Sequence, residues 1–436
     1  MRRARRCRAA FIELADDIVN LHDISLSSPT FREHAGFERG HFDRNLICLQ
    51  LDEGLARRDG VAFVLEPARD RCFGDGLAEG RNLYREHGQI YVKALTISAH
   101  GGLDQVIWRD DVAPPELRAP NDVRVHLSAA ALNHLDLFVV QGLPGVTITP
   151  PWVLGGDGAG VIESVGTGVT TVAPGDRVLI NPGISDHTCE YCTAGEQSLC
   201  VKFALLGEHL PGTFAEYVVV PAWNVRRVPA GITNEAAAAF TLATLTAWRM
   251  LVTRAKVQAG EQVLIQGIGG GVALAALQIA KLRGARVWVT SGSDEKLAKA
   301  AALGADETLN YRTADVAREI RARTGKRGVD VVVDSVGAAT WAQSLGALGK
   351  RGRLVSCGAT SGPVVETDMR RMFWNQWTLM GSTMGNDAEF DAIVAELAAG
   401  RLMPPVDAVF PLAEGRRAFE RLSERSQFGK LVLSIA

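Results

Sequence analysis

Gln262-Val-Leu-Ile-Gln-Gly267-Ile-Gly-Gly-Gly271-Val-Ala-Leu-Ala-Ala-Leu-Gln-Ile-Ala-Lys-Leu282 joins a short apolar, β-branched run to a helical pattern through a cluster of glycines. Glycines at a strand-to-helix turn let backbone approach a pyrophosphate, and the helix N-terminus adds free N–H donors and partial positive charge. The strict G-x-G-x-x-G spacing fails, because its last position falls on Val272 counted from Gly267 and on Leu274 counted from Gly269. The looser Gly267-x2-Gly270-x2-Ala273 fits, in the strand–turn–helix context the fingerprint needs. Gly267, Gly270, Gly271 and Val272 are therefore the candidate phosphate-cradling residues.

Outward from this loop, the chain alternates. Strand-like runs are predicted at 262–266, 286–290, 308–310, 329–334, 353–357 and 378–381, with helical patterns at 272–282, 294–303, 316–324 and 341–348. Short β-branched runs with helical crossovers predict an α/β fold built on a doubly wound parallel sheet. At the end of the second strand, where a carboxylate would grip the ribose of NAD, stands Ser291. A serine does not repel a 2′-phosphate, and Lys296 one turn later can pair with it, which favours NADPH over NADH. The alternative reading makes Ser293 a simple N-cap with Lys296 in solvent.

Residues 92–228 carry short alternating strands among prolines and glycines, such as Val123-Arg-Val-His-Leu127 and Phe214-Ala-Glu-Tyr-Val-Val-Val220, and predict a β-rich barrel. The tail from 386 carries a helix at 390–399 and a strand at 430–435, and is expected to return to the β-rich part. Residues 1–91 lack periodicity and are dense in arginine. They are expected to be an extension or a misassigned start, dispensable for activity. The 436 residues are 47% hydrophobic and 22% charged with net charge −2, which describes an ordinary globular protein with no electrostatic pull toward nucleic acid. No run of eighteen apolar residues exists, so no membrane span is expected.

Three of the seven cysteines crowd together as Cys189-x2-Cys192-x7-Cys200. That spacing suits a tetrahedral zinc in a reducing, cytoplasmic setting. Asp186 is the candidate fourth ligand and His187 its neighbour and competitor. Four protein ligands leave no open position, so one structural Zn2+ is expected.

In chain order, Ala131-Leu-Asn133-His-Leu-Asp136, Leu154-Gly-Gly156-Asp157-Gly-Ala-Gly-Val161, Pro174-Gly-Asp-Arg-Val178, the cysteine cluster, Leu245-Thr-Ala-Trp248, the glycine loop, Ala302-Leu-Gly-Ala-Asp306, Asp334-Ser-Val-Gly337 and Phe428-Gly-Lys430 resemble the medium-chain dehydrogenase/reductase superfamily, over residues 92–436. The resemblance implies a GroES-like barrel domain at 92–242, a Rossmann-type domain at 243–385 and a return at 386–436. It also implies a small-molecule partner and a homodimer or homotetramer. Zinc alcohol dehydrogenases carry Cys where this chain has Asn133, His where it has Gly156, and a third ligand near Leu242. Asn133 and Gly156 look like the quinone oxidoreductase branch, whereas the cysteine cluster looks like the alcohol dehydrogenase branch.

The function implied is hydride transfer from NADPH to a quinone or α,β-unsaturated carbonyl without catalytic zinc. Asn133 is expected to hydrogen-bond the acceptor carbonyl through its amide, and Asp136 to orient that loop. His134 is placed near the cofactor phosphates, and Asp334 and Gly337 at the cofactor pocket. The rival readings are an alcohol dehydrogenase with atypical metal ligands, Asp157 among them, and an NADPH-binding protein without turnover.

Overall fold

The computed structural model of the protein describes residues 91–435. The expectation for residues 1–91 lies outside them, apart from Tyr91.

Six parallel strands form one sheet in the spatial order Glu307–Asn310, Arg286–Ser291, Gln262–Ile265, Val329–Asp334, Leu348–Ser356, Thr378–Gly381. In chain order this reads third, second, first, fourth, fifth, sixth. The order reverses beside Gln262–Ile265, and doubly wound sheets bind ligands at that switch point, outside the carboxyl ends of the strands. Val263, Leu264 and Ile265 are fully buried, as expected for a strand covered on both faces. Helices Gly271–Leu282, Asp294–Ala302, Val316–Arg323 and Trp341–Ala347 fill the crossovers, within a residue of the predicted bounds.

The β-rich part is built around a seven-stranded sheet centred on Asp122–Ala131, with a three-stranded sheet of Ile107–Val112, Val92–Ile97 and Trp152–Val153 beside it. This long strand pairs antiparallel with Asp157–Val165, with Tyr217–Pro221 and with the closing strand Lys430–Ser434. Val406–Pro411 then adds in parallel to the closing strand. The tail divides its allegiance. Its last strand completes the β-rich sheet, while Phe390, Ile393 and Leu397 of helix Asp387–Ala398 join the core beneath the parallel sheet.

Four helices of seven residues or more among the described residues escaped the sequence reading, His134–Gln141 and Gly415–Ser423 among them. Asn234–Trp248 starts at Thr233, whose hydroxyl caps the Ala236 N–H, and runs on as a π-helical stretch, Arg249–Arg254. The whole 21-residue span is apolar enough to cross a membrane, but 72% of its apolar window is buried inside the protein. A helix enclosed on all sides shows no amphipathic stripe, so periodicity does not reveal it. The boundary placed between 242 and 243 falls inside this helix. Met369–Asn375 is another missed helix, and its Met369, Phe373 and Trp374 face solvent beside the edge strand Thr378–Gly381.

Candidate active site and metal centre

Strand register builds the first cluster. Ala131 pairs with Asp157 on one side and with Val432 on the other. Continuing the antiparallel register two residues sets Lys430 opposite Asn133. The Lys430 ammonium donates to Asn133 Oδ1 at 2.6 Å and to Asp157 Oδ2 at 2.9 Å. Asn133 Nδ2 donates to Asp157 Oδ2 at 2.9 Å, and the Leu242 N–H donates to Asp157 Oδ1 at 2.8 Å. An ammonium has no acceptor capacity, so it forces the amide oxygen of Asn133 toward Lys430 and the nitrogen toward Asp157. Asp157 is fully buried and Lys430 nearly so. A charge pair at such depth is tolerable only because every oxygen and most N–H groups are satisfied.

Asp136 works from behind. Its carboxylate accepts the Asn133 N–H at 2.7 Å at the start of helix His134–Gln141. Burial pushes the Asp136 carboxyl up to about 7, against the Asn133 N–H and Lys430, which pull it down. His134 is lowered by burial and by Arg425 and packs edge-on to Phe138.

The positions of the zinc alcohol dehydrogenase donors do converge. Asn133 and Leu242 both bond Asp157, and a Cβ on Gly156 would stand 3.3 Å from Leu242 Cδ1. Their chemistry does not suit a metal: Leu242 offers a methyl, Gly156 nothing, and Asn133 has both amide atoms engaged. Its expected role as donor to an acceptor carbonyl is corrected accordingly, since its nitrogen is held by Asp157 and reaches the Ala131 carbonyl at 3.4 Å.

The glycine loop lies next to this cluster. Gly267 and Gly269 take positive φ, 69° and 127°, which side chains strongly disfavour. A Cβ on Gly271 would meet Lys430 Cδ at 2.9 Å and Ala243 Cβ at 3.0 Å, so glycine there admits the lysine stem and the neighbouring helix. Gly270 precedes the helix in extended conformation, and Val272 lies in its first turn. Ser291 and Asp334 close the two flanking strands. Asp334 is fully buried and accepts from the Val336 and Gly337 N–H groups at 2.9 and 3.0 Å and from Ser344 Oγ at 2.7 Å, with Gly337 at φ 85°. A polar chain missed by sequence reading runs beneath the loop: Thr290 Oγ1 accepts the Gly267 N–H at 3.0 Å and donates to Gln266, which donates to Ser344.

Lys296 departs from expectation. Its ammonium donates to the Arg425 carbonyl at 2.6 Å, its stem lies against Gly269, and burial lowers its pKa. It is half-buried, and its bond to Arg425 leads away from the expected pairing beside Ser291. Ser293 is indeed the N-cap, accepting the Lys296 N–H.

The second cluster is a separate lobe. One ligand atom each of Asp186, Cys189, Cys192 and Cys200 lies within 4.8 Å of all the others. Tetrahedral thiolate zinc needs sulfur–sulfur separations of about 3.8 Å, so the set fits with small closure. Asp186 accepts the Thr188 and Cys189 N–H groups, which hold its carboxyl well below the usual range. The Cys192 thiol is pushed up to about 12, by burial first and then by its neighbours in the cluster. A divalent cation reverses that balance by coordinating thiolates. His187 is turned away, 3.6 Å from Asp387 and packed on Trp223. The lobe is braced: Glu196 pairs with the buried Arg249, which also pairs with Glu389 at 3.0 Å, and Asn386 donates to the Gly195 carbonyl at 2.9 Å.

Comparison with known proteins agrees with this architecture. Residues 119–230 match the alcohol dehydrogenase GroES-like domain family, and residues 271–399 the zinc-binding dehydrogenase family. A zinc-type alcohol dehydrogenase-like protein of Schizosaccharomyces pombe is 34% identical over 77% of this chain and 96% of its own. The acryloyl-coenzyme A reductase of Metallosphaera sedula is 31% identical over 79% of this chain and all of its own. A solved NAD-dependent alcohol dehydrogenase superposes with TM-score 0.76 at 44% identity, covering 79% of this chain and all of that one. The chain therefore belongs to the medium-chain dehydrogenase/reductase superfamily and is an NAD(P)-dependent oxidoreductase.

Proposed function

We propose that this oxidoreductase reduces a quinone or an α,β-unsaturated carbonyl with NADPH, holds one zinc in the Asp186–Cys200 lobe and uses no catalytic zinc. The carrying observation is Lys430: its ammonium sits among Asn133 and Asp157, next to the place where zinc alcohol dehydrogenases gather metal ligands. A divalent cation there would meet a buried ammonium and find neither thiolate nor imidazole. The names of the relatives divide between alcohol dehydrogenases and an acryloyl-coenzyme A reductase, and the chain's own donor set supports the reductase reading.

The nicotinamide supplies the hydride when bound. We assign its positioning to the Gly267–Val272 loop and His134 at the phosphates, and to Asp334 and Gly337 at the adjoining wall. Asp136, Lys430 and Asp157 hold Asn133 rigid. A quinone or enone is already electrophilic, so it reacts without the Lewis acid that alcohol oxidation needs. The cysteine lobe, with four ligands and none to spare, pins structure. Its thiols form no disulfide, which fits a reducing, cytoplasmic location.

The test is the zinc-to-protein ratio of dialysed protein, followed by NADPH oxidation with quinones and enones. One zinc per chain and turnover with these acceptors are expected. Two zincs per chain, or alcohol oxidation that depends on added zinc, would overturn the reading.

A further inference from the structure

The place beside Asn133 and Leu242 has a further wall, the turn 205–210. A Cβ on Gly156 would stand 3.6 Å from the Leu206 carbonyl oxygen and 3.6 Å from Pro182 Cβ, and the Leu206 N–H donates to the Pro182 carbonyl at 3.1 Å. Gly207 then takes φ 79°, and a Cβ there would meet the Gly155 nitrogen at 2.7 Å, so the lack of a side chain lets the turn press against Gly155. The Trp152 indole N–H donates to the Gly207 carbonyl at 2.9 Å, and the Gly207 N–H to the Leu210 carbonyl at 2.7 Å. The Leu205 carbonyl accepts the N–H groups of Glu208 and His209 at 3.3 and 2.9 Å. Glu208 is thus held in a constrained turn, just beyond the Leu206 carbonyl.

The carboxyl of Glu208 lacks the partners that the buried acids nearby possess. Asp136 accepts from Asn133, Asp157 from Asn133, Leu242 and Lys430, and Asp334 from Val336, Gly337 and Ser344. Among the described residues no hydrogen-bond donor engages the Glu208 oxygens, although only 14% of its side chain is exposed. His209 faces it, with Nε2 at 3.9 Å from Glu208 Oε1. His209 Nδ1 accepts the Leu205 N–H at 3.3 Å, which leaves the proton of the neutral ring on Nε2, toward Glu208. Burial raises the Glu208 carboxyl, against the pull of His209. A carboxyl in such surroundings holds a proton that it can give.

We propose that Glu208 is the catalytic acid of the reduction, giving its proton to the oxygen of the acceptor. This rests on the quinone or enone reading above and supplies its proton donor. On an enone, hydride forms the new C–H bond and the electron pair displaced from the double bond gathers on the oxygen. The O–H bond of Glu208 breaks as that oxygen takes the proton. A carboxylate remains, with the His209 Nε2–H beside it, and water restores the acid. Asp136 and Lys430 suit this step less well, being 3% and 4% exposed and bonded to Asn133 or Asp157.

The experiment follows NADPH oxidation with cyclohex-2-enone and 1,4-benzoquinone by the full chain and by its Glu208→Gln and Glu208→Ala variants, with NADPH affinity measured separately by fluorescence. Glu208→Gln should lower kcat about a hundredfold or more, the contribution of a positioned acid, with KM within about threefold and NADPH affinity unchanged. Acetic acid added at fixed pH should raise the kcat of Glu208→Ala about tenfold, by replacing the missing acid. A Glu208→Gln kcat within about threefold of the unsubstituted value overturns the assignment and leaves the reduction standing. A loss that acetic acid does not restore, or one carried by KM or NADPH affinity, overturns it too, because the turn would then act through structure. An unsubstituted chain that binds NADPH yet reduces neither acceptor overturns the reductase reading and Glu208 together.

Discussion

Asp136→Asn separates the charge of this side chain from its hydrogen bond. Asp136 is 3% exposed, and burial raises its carboxyl from the ordinary 3.8 to about 7. The native chain therefore keeps a proton that the unfolded chain has already lost. Stability contributed by this group is fully present below about pH 4, declines through the interval up to about 7 and is level above it. The span from 3.8 to about 7, at 1.36 kcal/mol per pH unit, makes the cost of ionisation about 4 kcal/mol. Asparagine cannot ionise and still offers an oxygen to the Asn133 N–H. At pH 8 the variant should melt about 4–6 °C higher than the unsubstituted protein, from the usual unfolding entropy per residue. At pH 4 the two should coincide. Calorimetric midpoints of the pair across this range isolate the group, because other titrations cancel in the difference. A difference that stays flat, or shrinks as pH rises, would refute the argument that burial dominates the environment of Asp136.

Lys430→Met leaves the buried carboxylate of Asp157 without its counter-charge and the amide oxygen of Asn133 without its donor, and should cost about 3–5 kcal/mol, seen as a melting point about 4–7 °C lower. Adding Asp157→Asn should recover at least half of that loss; no recovery would mean that packing of the lysine stem against Gly271, and not its charge, sets the effect. Arg249→Met strands the buried Glu389 and unties Glu196 from it, so hydrogen exchange should quicken by about tenfold or more in helix Asp387–Ala398. Unchanged exchange there would show that the cysteine lobe is held by its own bonds alone.

The parallel sheet and the cysteine cluster were legible in the sequence because both are written in short-range spacing. A strand buried on both faces is a run of β-branched residues, and zinc ligands recur at fixed intervals. The same reading passed over Asn234–Trp248, since a helix enclosed by the core has no polar face to mark it. It placed Lys296 at the cofactor by counting one helical turn, but a side chain with rotatable bonds follows the nearest acceptor, here the Arg425 carbonyl.

The α/β fold, the glycine loop, the clustering of Asp186 with Cys189, Cys192 and Cys200, and the lack of thiol or imidazole at Asn133, Gly156 and Leu242 could all be read from the chain. Each depends on residue type within a short window. Tertiary structure alone decided that Lys430 would reach Asn133 across 297 residues, and that the turn bearing Glu208 would lie against Gly155. Those contacts depend on which strands become neighbours and in what register. Hydrogen-bond geometry and burial set that pairing in three dimensions, and no local pattern in the chain encodes it.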